Sequence, residues 1–343
     1  MSFQTALDSL TGGNDLTEDE MVSCMTAIMQ GEVTDPQLAT FLTALHAKGE
    51  TVSEIVGAAR VMRAKAEKLD IKVAPLVDTC GTGGDGADTF NISTASALVA
   101  AGAGVNIAKH GNRAVSSRSG SADVLKCLGV NLDASLPTVK RCVEEAGIGF
   151  LFAPLMHKAM KYAAGVRKEL GFRTIFNVLG PLTNPANAEA QVLGVFDEQW
   201  VEPLAEVLRD LGCRHALVVH GSDGLDEITL TGKSQVTELK NGKVSSYSLD
   251  PEKLGFNICA PDDLKGGTPE ESAVMIENIL NGEKGPKRDI VLLNSAAAIY
   301  VAGKADSLEL SIQSAVDSIE SGKAQEKLED LCRITHSGTV GKS

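Results

Sequence analysis

The sequence predicts an α/β protein, with a small N-terminal helical domain over residues 1–71 and a large α/β domain over 72–343. The large domain is expected to carry a mostly parallel central sheet with flanking helices. Three observations lead there. Capping signals and helical apolar spacing fill the first seventy residues. After Lys72, short apolar runs alternate with helical stretches. Several of those runs end in glycine- or serine-rich loops, as strands do when their C-terminal ends gather around one cleft. A helical segment near 165–187 is expected to complete the N-terminal domain.

The helices come first. Thr17-x-x-Glu20 is a capping box followed by Met21, Met25, Ile28 and Met29, with Gly31 as the stop. Asp35-Pro36 reads as N-cap and first helical position of a second helix, which carries Leu38, Phe41, Leu42 and Leu45 and ends at Gly49. Thr51-x-x-Glu54 opens a third, with Ile55, Val56, Ala59 and Met62 on one face. Strands are then expected at 73–77, 104–108, 148–153, 190–196 and 215–220, and helices at 92–103, 122–129, 154–170 and 199–211. Asn241-Gly242 between two alternating segments predicts a hairpin, and hence an antiparallel addition to the sheet. The C-terminus reads as helical again.

Composition narrows the function. Aromatics are 4% with one Trp, too few for the stacking platforms of single-strand nucleic-acid binders. No N-terminal basic-then-apolar segment and no membrane-length apolar run is present. The seven cysteines are scattered and free of C-x-x-C pairs, which predicts reduced thiols in a cytoplasmic protein without zinc or a disulfide frame. The net charge of −13 is unevenly distributed. Between Thr89 and Ala188 there are eleven Lys and Arg against five Asp and Glu, a local +6, and no carboxylate lies between Thr89 and Ala122. That basic stretch adjoins the glycine loop, so a pocket for a small, highly charged anion is favoured over a merely solvated face.

Four segments carry the chemistry. In 78-DTCGTGGDGADTFNIST-94, Gly81, Gly83, Gly84 and Gly86 allow backbone N–H groups to approach an anion. Asn91, Ser93 and Thr94 follow at a helix start, where free N–H groups and the dipole favour phosphate. Asp85 after Gly84 excludes a P-loop, which needs Lys-Ser or Lys-Thr there. The loop 109-KHGNRAVSSRSGS-121 repeats the architecture with Lys109 and Arg113 as cations and Ser116, Ser117, Ser119 and Ser121 as donors. In 220-HGSDGLDEIT-229, Asp223, Asp226 and Glu227 read either as partners of a helix N-terminus or as ligands for Mg²⁺ carrying a phosphorylated molecule. In 167-RKELGFRTIFNVLGPLTNP-185, Arg167 is either a bidentate carboxylate clamp or an exposed helix arginine. No Ser-His-Asp or Cys-His arrangement stands out, and His110 and His157 lack metal-ligand spacing.

Those four segments, in that order, resemble the anthranilate phosphoribosyltransferase family, of the nucleoside phosphorylase-like phosphoribosyltransferase fold. The resemblance runs the length of the chain, with two departures: Ala114 where serine is common, and Lys158 after His157 where proline is common. It implies transfer of phosphoribose from 5-phosphoribosyl-1-pyrophosphate (PRPP) to the amine of anthranilate, a step toward tryptophan. It implies that Gly81, Gly84, Asp85, Thr89, Asn91, Ile92, Ser93, Thr94, Lys109, Gly111, Asn112, Arg113, Ala114, Val115, Ser116, Ser117 and Ser121 hold PRPP. Gly81, His110, Asn112, His157 and Arg167 would hold anthranilate. Ser93, Asp226 and Glu227 would bind two Mg²⁺ ions arriving with PRPP. It further implies a homodimer through the N-terminal helices, and leaves association with an anthranilate synthase subunit open. Two other classes stand beside it. A pyrimidine nucleoside phosphorylase of the same fold would have less need of Asp226 and Glu227. A non-catalytic nucleotide-binding module would keep the glycines without the acids or Arg167.

Overall fold

The computed structural model describes residues 2–114 and 118–337. Four helices open it: α1 (Phe3–Thr11), α2 (Glu18–Gln30), α3 (Asp35–Lys48) and α4 (Val52–Lys65). The capping boxes at Thr17 and Thr51 form as the spacing predicts. The second helix starts one residue earlier than expected: Thr34 is the N-cap, paired with Gln37, and Asp35 lies inside the first turn. A threonine hydroxyl in extended backbone reaches the third helical N–H, and Asp35 is left to complement the dipole.

The sheet order is β3-β2-β1-β4-β5-β6-β7. Its parallel part comprises β1 (Leu76–Asp78), β2 (Asn106–Gly111), β3 (Ile148–Phe152), β4 (Ala190–Gly194) and β5 (His215–Gly221). The hairpin β6 (Ser234–Lys240) and β7 (Lys243–Leu249) adds antiparallel strands, with Asn241 (φ 51°) and Gly242 (φ 79°) supplying the left-handed turn. The chain order reverses between β1 and β4, so the crevice for a ligand is expected beyond their C-terminal ends.

Connections within the parallel part are α5 (Ile92–Gly102), α6 (Ser121–Cys127), α7 (Leu136–Arg141), α8 (Ala153–Met156), α9 (Lys161–Leu170), α10 (Phe176–Leu179) and α11 (Val201–Asp210). The single helix expected over 154–170 is divided into α8, a short turn at Lys158–Met160, and α9. His157 makes the break, with a non-helical φ of −114° and ψ of 61°. Four helices close the chain: α12 (Pro269–Leu280), α13 (Pro286–Val301), α14 (Leu308–Glu320) and α15 (Lys323–His336).

The period-two alternation of strand side chains splits the core. Val192, Leu217, Val219 and Val236 pack toward α5 and α13. Leu193, Val195, Ala216, Val218 and Leu239 pack on the other face, in one cluster with α1–α4, α11 and residues Ala163, Val166, Phe176, Leu179 and Leu182. Half-buried Arg63 on α4 donates to the carbonyls of Leu182 (2.7 Å) and Leu211 (3.3 Å), joining the helices to the segment beside the cleft. No helix among the described residues is long and apolar enough to cross a membrane. All seven cysteines are unpaired.

Candidate active site

The glycine loop leaves β1 and turns at Gly83 (φ 65°) and Gly84 (φ 79°), in the left-handed region that side chains resist. It is fastened to the ends of β4 and β5. Thr82 N–H donates to the Gly194 carbonyl (2.8 Å), and Gly83 N–H donates to Asp226 Oδ2 (2.7 Å). A Cβ on Gly194 would overlap the Asp226 backbone, so only glycine lets the acidic segment cross β4 this closely. Behind that segment, Asn294 of α13 accepts from Ile228 N–H (3.0 Å) and donates to the Ile228 carbonyl (2.9 Å). Arg173 donates to the Gly84 carbonyl from the far side, its guanidinium 3.8 Å from the centre of the Phe196 ring.

No helix begins at Asp226-Glu227, because the chain runs through turns from β5 to β6. The helix-dipole reading of these acids is therefore removed. The three carboxylates also separate in role. Asp223 accepts from the hydroxyls of Thr229 (2.7 Å) and Thr231 (2.6 Å) and closes the turn. Asp226 and Glu227 face the glycine loop. Burial, reinforced by the neighbouring Asp85 carboxylate, holds Asp226 well above the usual carboxylate range, and burial together with Asp226 does the same to Glu227. Several partly buried oxygens converge with little cationic compensation, and a hard divalent cation is what such a set can hold.

The compensation comes from Lys109, which the structure places on β2 rather than in the following loop, with His110 and Gly111 beside it. Its buried Nζ donates to the Thr79 carbonyl (3.0 Å), Thr79 Oγ1 (3.2 Å) and Ser93 Oγ (3.2 Å). The backbone N–H of Ser93 in turn supports the Glu227 carboxylate. Ile92 and Thr94 turn their side chains into the core, and Ile92 N–H is already donated to the Phe90 carbonyl (2.7 Å). Thr89 bridges to Lys265 at the outer end of the loop. Asn91 does not cap α5. It donates to the Ser119 carbonyl (3.1 Å) and accepts from the Ser119 hydroxyl (2.9 Å), tying the first loop to the second.

The second loop folds around Asp123. That carboxylate accepts from Arg113 Nη1 (3.0 Å), Ala114 N–H (3.0 Å) and Gly120 N–H (3.3 Å). Arg113 is thus partly neutralised within the protein. Ser121 Oγ donates to the Asn112 carbonyl (3.2 Å), while the Asn112 side chain stays exposed. Val115, Ser116 and Ser117 lie outside the described residues.

On the opposite side of the β1 and β2 ends lies a neutral, partly aromatic wall. The His110 and His157 rings sit 5.1 Å apart. His110 Nδ1 lies 3.2 Å from the Gly180 carbonyl, a partner that can only accept, so Nδ1 carries the hydrogen and Nε2 presents a bare lone pair. Burial lowers His110 to about 3 and His157 to about 4. Arg167 on α9 lies half-buried over the Phe176 ring (5.2 Å), and among the described residues no carboxylate pairs with it. Sequence reasoning singled out Arg167, noted Arg173 in the same segment without giving it a role, and passed over Asn294 and Asp123, which lie outside the four segments.

Comparison with known proteins agrees with this geometry. Residues 4–66 match the helical bundle domain of a glycosyl transferase family, and residues 73–325 match its a/b domain. The anthranilate phosphoribosyltransferase of Acetivibrio thermocellus is 55% identical over 335 residues, covering 98% of this chain and 97% of the relative. The crystal structure of the Thermus thermophilus anthranilate phosphoribosyltransferase superposes with a TM-score of 0.92 at 47% identity, covering 96% of this chain and 99% of that one. The Saccharomyces cerevisiae anthranilate phosphoribosyltransferase, in complex with PRPP and Mg, gives 0.89 at 28% identity, with 98% of each chain covered. Matched over nearly its whole length in both sequence and fold, the protein belongs to the anthranilate phosphoribosyltransferase family.

Proposed function

We propose that the chain transfers the 5-phosphoribosyl group of PRPP to the amine of anthranilate, giving N-(5-phosphoribosyl)anthranilate and pyrophosphate. The observation that supports this most is the division of the cleft. Acids, glycine backbone and Lys109 stand on one side, and neutral imidazoles with Arg167 on the other. The first side suits a metal-bound pyrophosphate. The second suits a flat aromatic carboxylate.

In this reading the N–H groups near Gly81 and Gly84, with Asp85, Thr89 and residues 91–94, surround the pyrophosphate end of PRPP, and Lys109 through Ser117 with Ser121 take its phosphates. Ile92 contributes through packing. Asp226, Glu227 and Ser93 Oγ would hold two Mg²⁺ ions arriving with PRPP, and the metal, when bound, would supply charge neutralisation for the leaving pyrophosphate. Asn112, Gly81 and Arg167 orient anthranilate, with His110 and His157 as the wall. No enzyme nucleophile is invoked: burial raises the Cys80 thiol, and Ser93 Oγ accepts from a cation rather than donating to a base. The chain's work is positioning and charge compensation around an oxocarbenium-like transition state. The N-terminal helices with residues 165–187 are proposed as one domain and 72–343 otherwise as the other, supported by the shared apolar cluster. The homodimer through the N-terminal helices rests on the family alone.

The test is the loss of anthranilate fluorescence with protein, Mg²⁺ and PRPP. Turnover is expected, with intersecting initial-rate plots. Silence there, alongside phosphate-dependent cleavage of thymidine or uridine, would instead establish a nucleoside phosphorylase.

A further inference from the structure

The ends of β1 and β2 carry two sets of polar side chains that never mix. Lys109, Thr79 and Ser93 bond to one another on one side, next to Glu227. Asp78, Cys80 and His110 alternate with them in sequence and emerge on the other side, where Asn184 donates to Asp78 Oδ2 (2.7 Å) and His110 Nδ1 meets Gly180. One carboxylate oxygen, the Cys80 sulfur and one imidazole nitrogen of this second set lie within 4.8 Å of one another. Asp78 and His110 are buried and Cys80 is half-buried. Buried His110 Nε2 has no hydrogen-bond partner, and its neutral tautomer leaves a lone pair there.

We propose that Asp78, Cys80 and His110 form a second cation site, for a borderline or soft divalent ion such as Zn²⁺, distinct from the all-oxygen site at Asp226 and Glu227. The donors select the ion. A thiolate and an imidazole prefer Zn²⁺, Co²⁺ or Cd²⁺, whereas Mg²⁺ prefers oxygen and retains its waters. The three donor atoms already lie within 4.8 Å of one another, and Asp78 is held in place by Asn184 (2.7 Å) and by His110 N–H (3.0 Å). Binding converts the Cys80 thiol to a metal thiolate and releases one proton to solvent, so affinity rises with pH. The ion occupies the imidazole side of the cleft. On the proposed function it therefore inhibits by excluding the aromatic substrate while leaving PRPP binding intact.

The test begins without substrates, so it stands apart from the functional reading. Co²⁺ titrated into the full chain with excess Mg²⁺ is expected to give one equivalent of a thiolate-to-cobalt charge-transfer band, lost in Cys80→Ala. Zn²⁺ is expected to protect Cys80 from iodoacetamide, read by peptide mass spectrometry, and to leave exposed Cys127 reactive. In the anthranilate assay, Zn²⁺ should inhibit competitively with anthranilate, and Cys80→Ala should lose that inhibition at least tenfold while keeping Mg²⁺-dependent turnover. A charge-transfer band unchanged in Cys80→Ala would overturn the site. So would alkylation of wild-type Cys80 that Zn²⁺ does not slow, a result that needs no variant to fold. Zn²⁺ inhibition relieved by Mg²⁺ and indifferent to Cys80→Ala would place the ion at Asp226 and Glu227 instead.

Discussion

The acid corner at Asp85, Asp226 and Glu227 and the imidazole corner at His110 and His157 are shaped by one cause with opposite results. Burial raises Asp226 and Glu227 and lowers the two imidazoles, so each corner resists carrying its own charge. The acids also repel one another, and a cation relieves both costs at once. Buried Asp78 lies beside His110, but its two oxygens accept from the His110 backbone N–H and from Asn184, and the imidazoles remain a neutral wall with bare acceptors. Desolvation thus sets an acidic corner against a neutral one, and the proposed places for a metal-borne anion and an aromatic ring rest on that division.

The largest expected effect breaks the first corner. Asp226→Asn and Glu227→Gln keep shape and remove charge, and each should lower kcat/KM by about 100-fold or more, the upper range for a charged hydrogen-bonded contact. Steady-state rates against Mg²⁺ concentration check this. Normal activity with normal Mg²⁺ dependence would return both acids to a structural role.

Next in size is Arg167→Ala. It should weaken anthranilate by roughly 10- to 100-fold and leave PRPP almost unchanged. Aniline, which lacks the carboxylate, should be a poor substrate and lose little more in the variant. If the two deletions were instead additive, Arg167 would not touch the carboxylate.

The comparison sharpens with pH. Asp226 and Glu227 are raised in the folded state, so without metal their contribution to stability is fully present at low pH. It is lost as pH rises from the usual carboxylate range, about 4, toward neutrality. His110 and His157 are lowered, so their contribution is present above about 6.5 and lost as pH falls toward about 4 and then about 3. Metal-free Tm measured across this range should respond to the two corners separately. Asp226→Asn should flatten the loss on the rising side, and His157→Phe the loss on the falling side. A variant that alters neither limb contradicts the assigned cause. The smallest effect belongs to Arg113→Gln. It breaks a largely exposed pair with Asp123 (3.0 Å), worth about 1 kcal/mol or less, and should shift Tm by a few degrees at most.

Local signals explain what was legible in the sequence. Capping boxes at Thr17 and Thr51, the Asn241-Gly242 turn and the alternation of strands and helices are written within a few residues of each element. The glycine loop was visible because positive φ demands glycine. Lys109 and His110 were assigned to a loop because β2 continues past its apolar run, and strand pairing with β3 decides its end. The Asn91–Ser119 tie, the grip of Asn294 on Ile228 and the contact of Arg173 with Gly84 join residues far apart in the chain, and nothing local marks them. Asp226 and Glu227 could be read two ways until the structure put turns, not a helix, after β5.

On the proposed function, the acid corner binds PRPP through a divalent cation. Calorimetric titration of PRPP into the protein, with and without Mg²⁺, tests it most directly when repeated on Glu227→Gln. The expected result is tight binding only for the wild type with Mg²⁺, and weak binding for the variant at every Mg²⁺ concentration. Equal PRPP affinity with and without Mg²⁺, or a variant that binds like the wild type, would contradict the account.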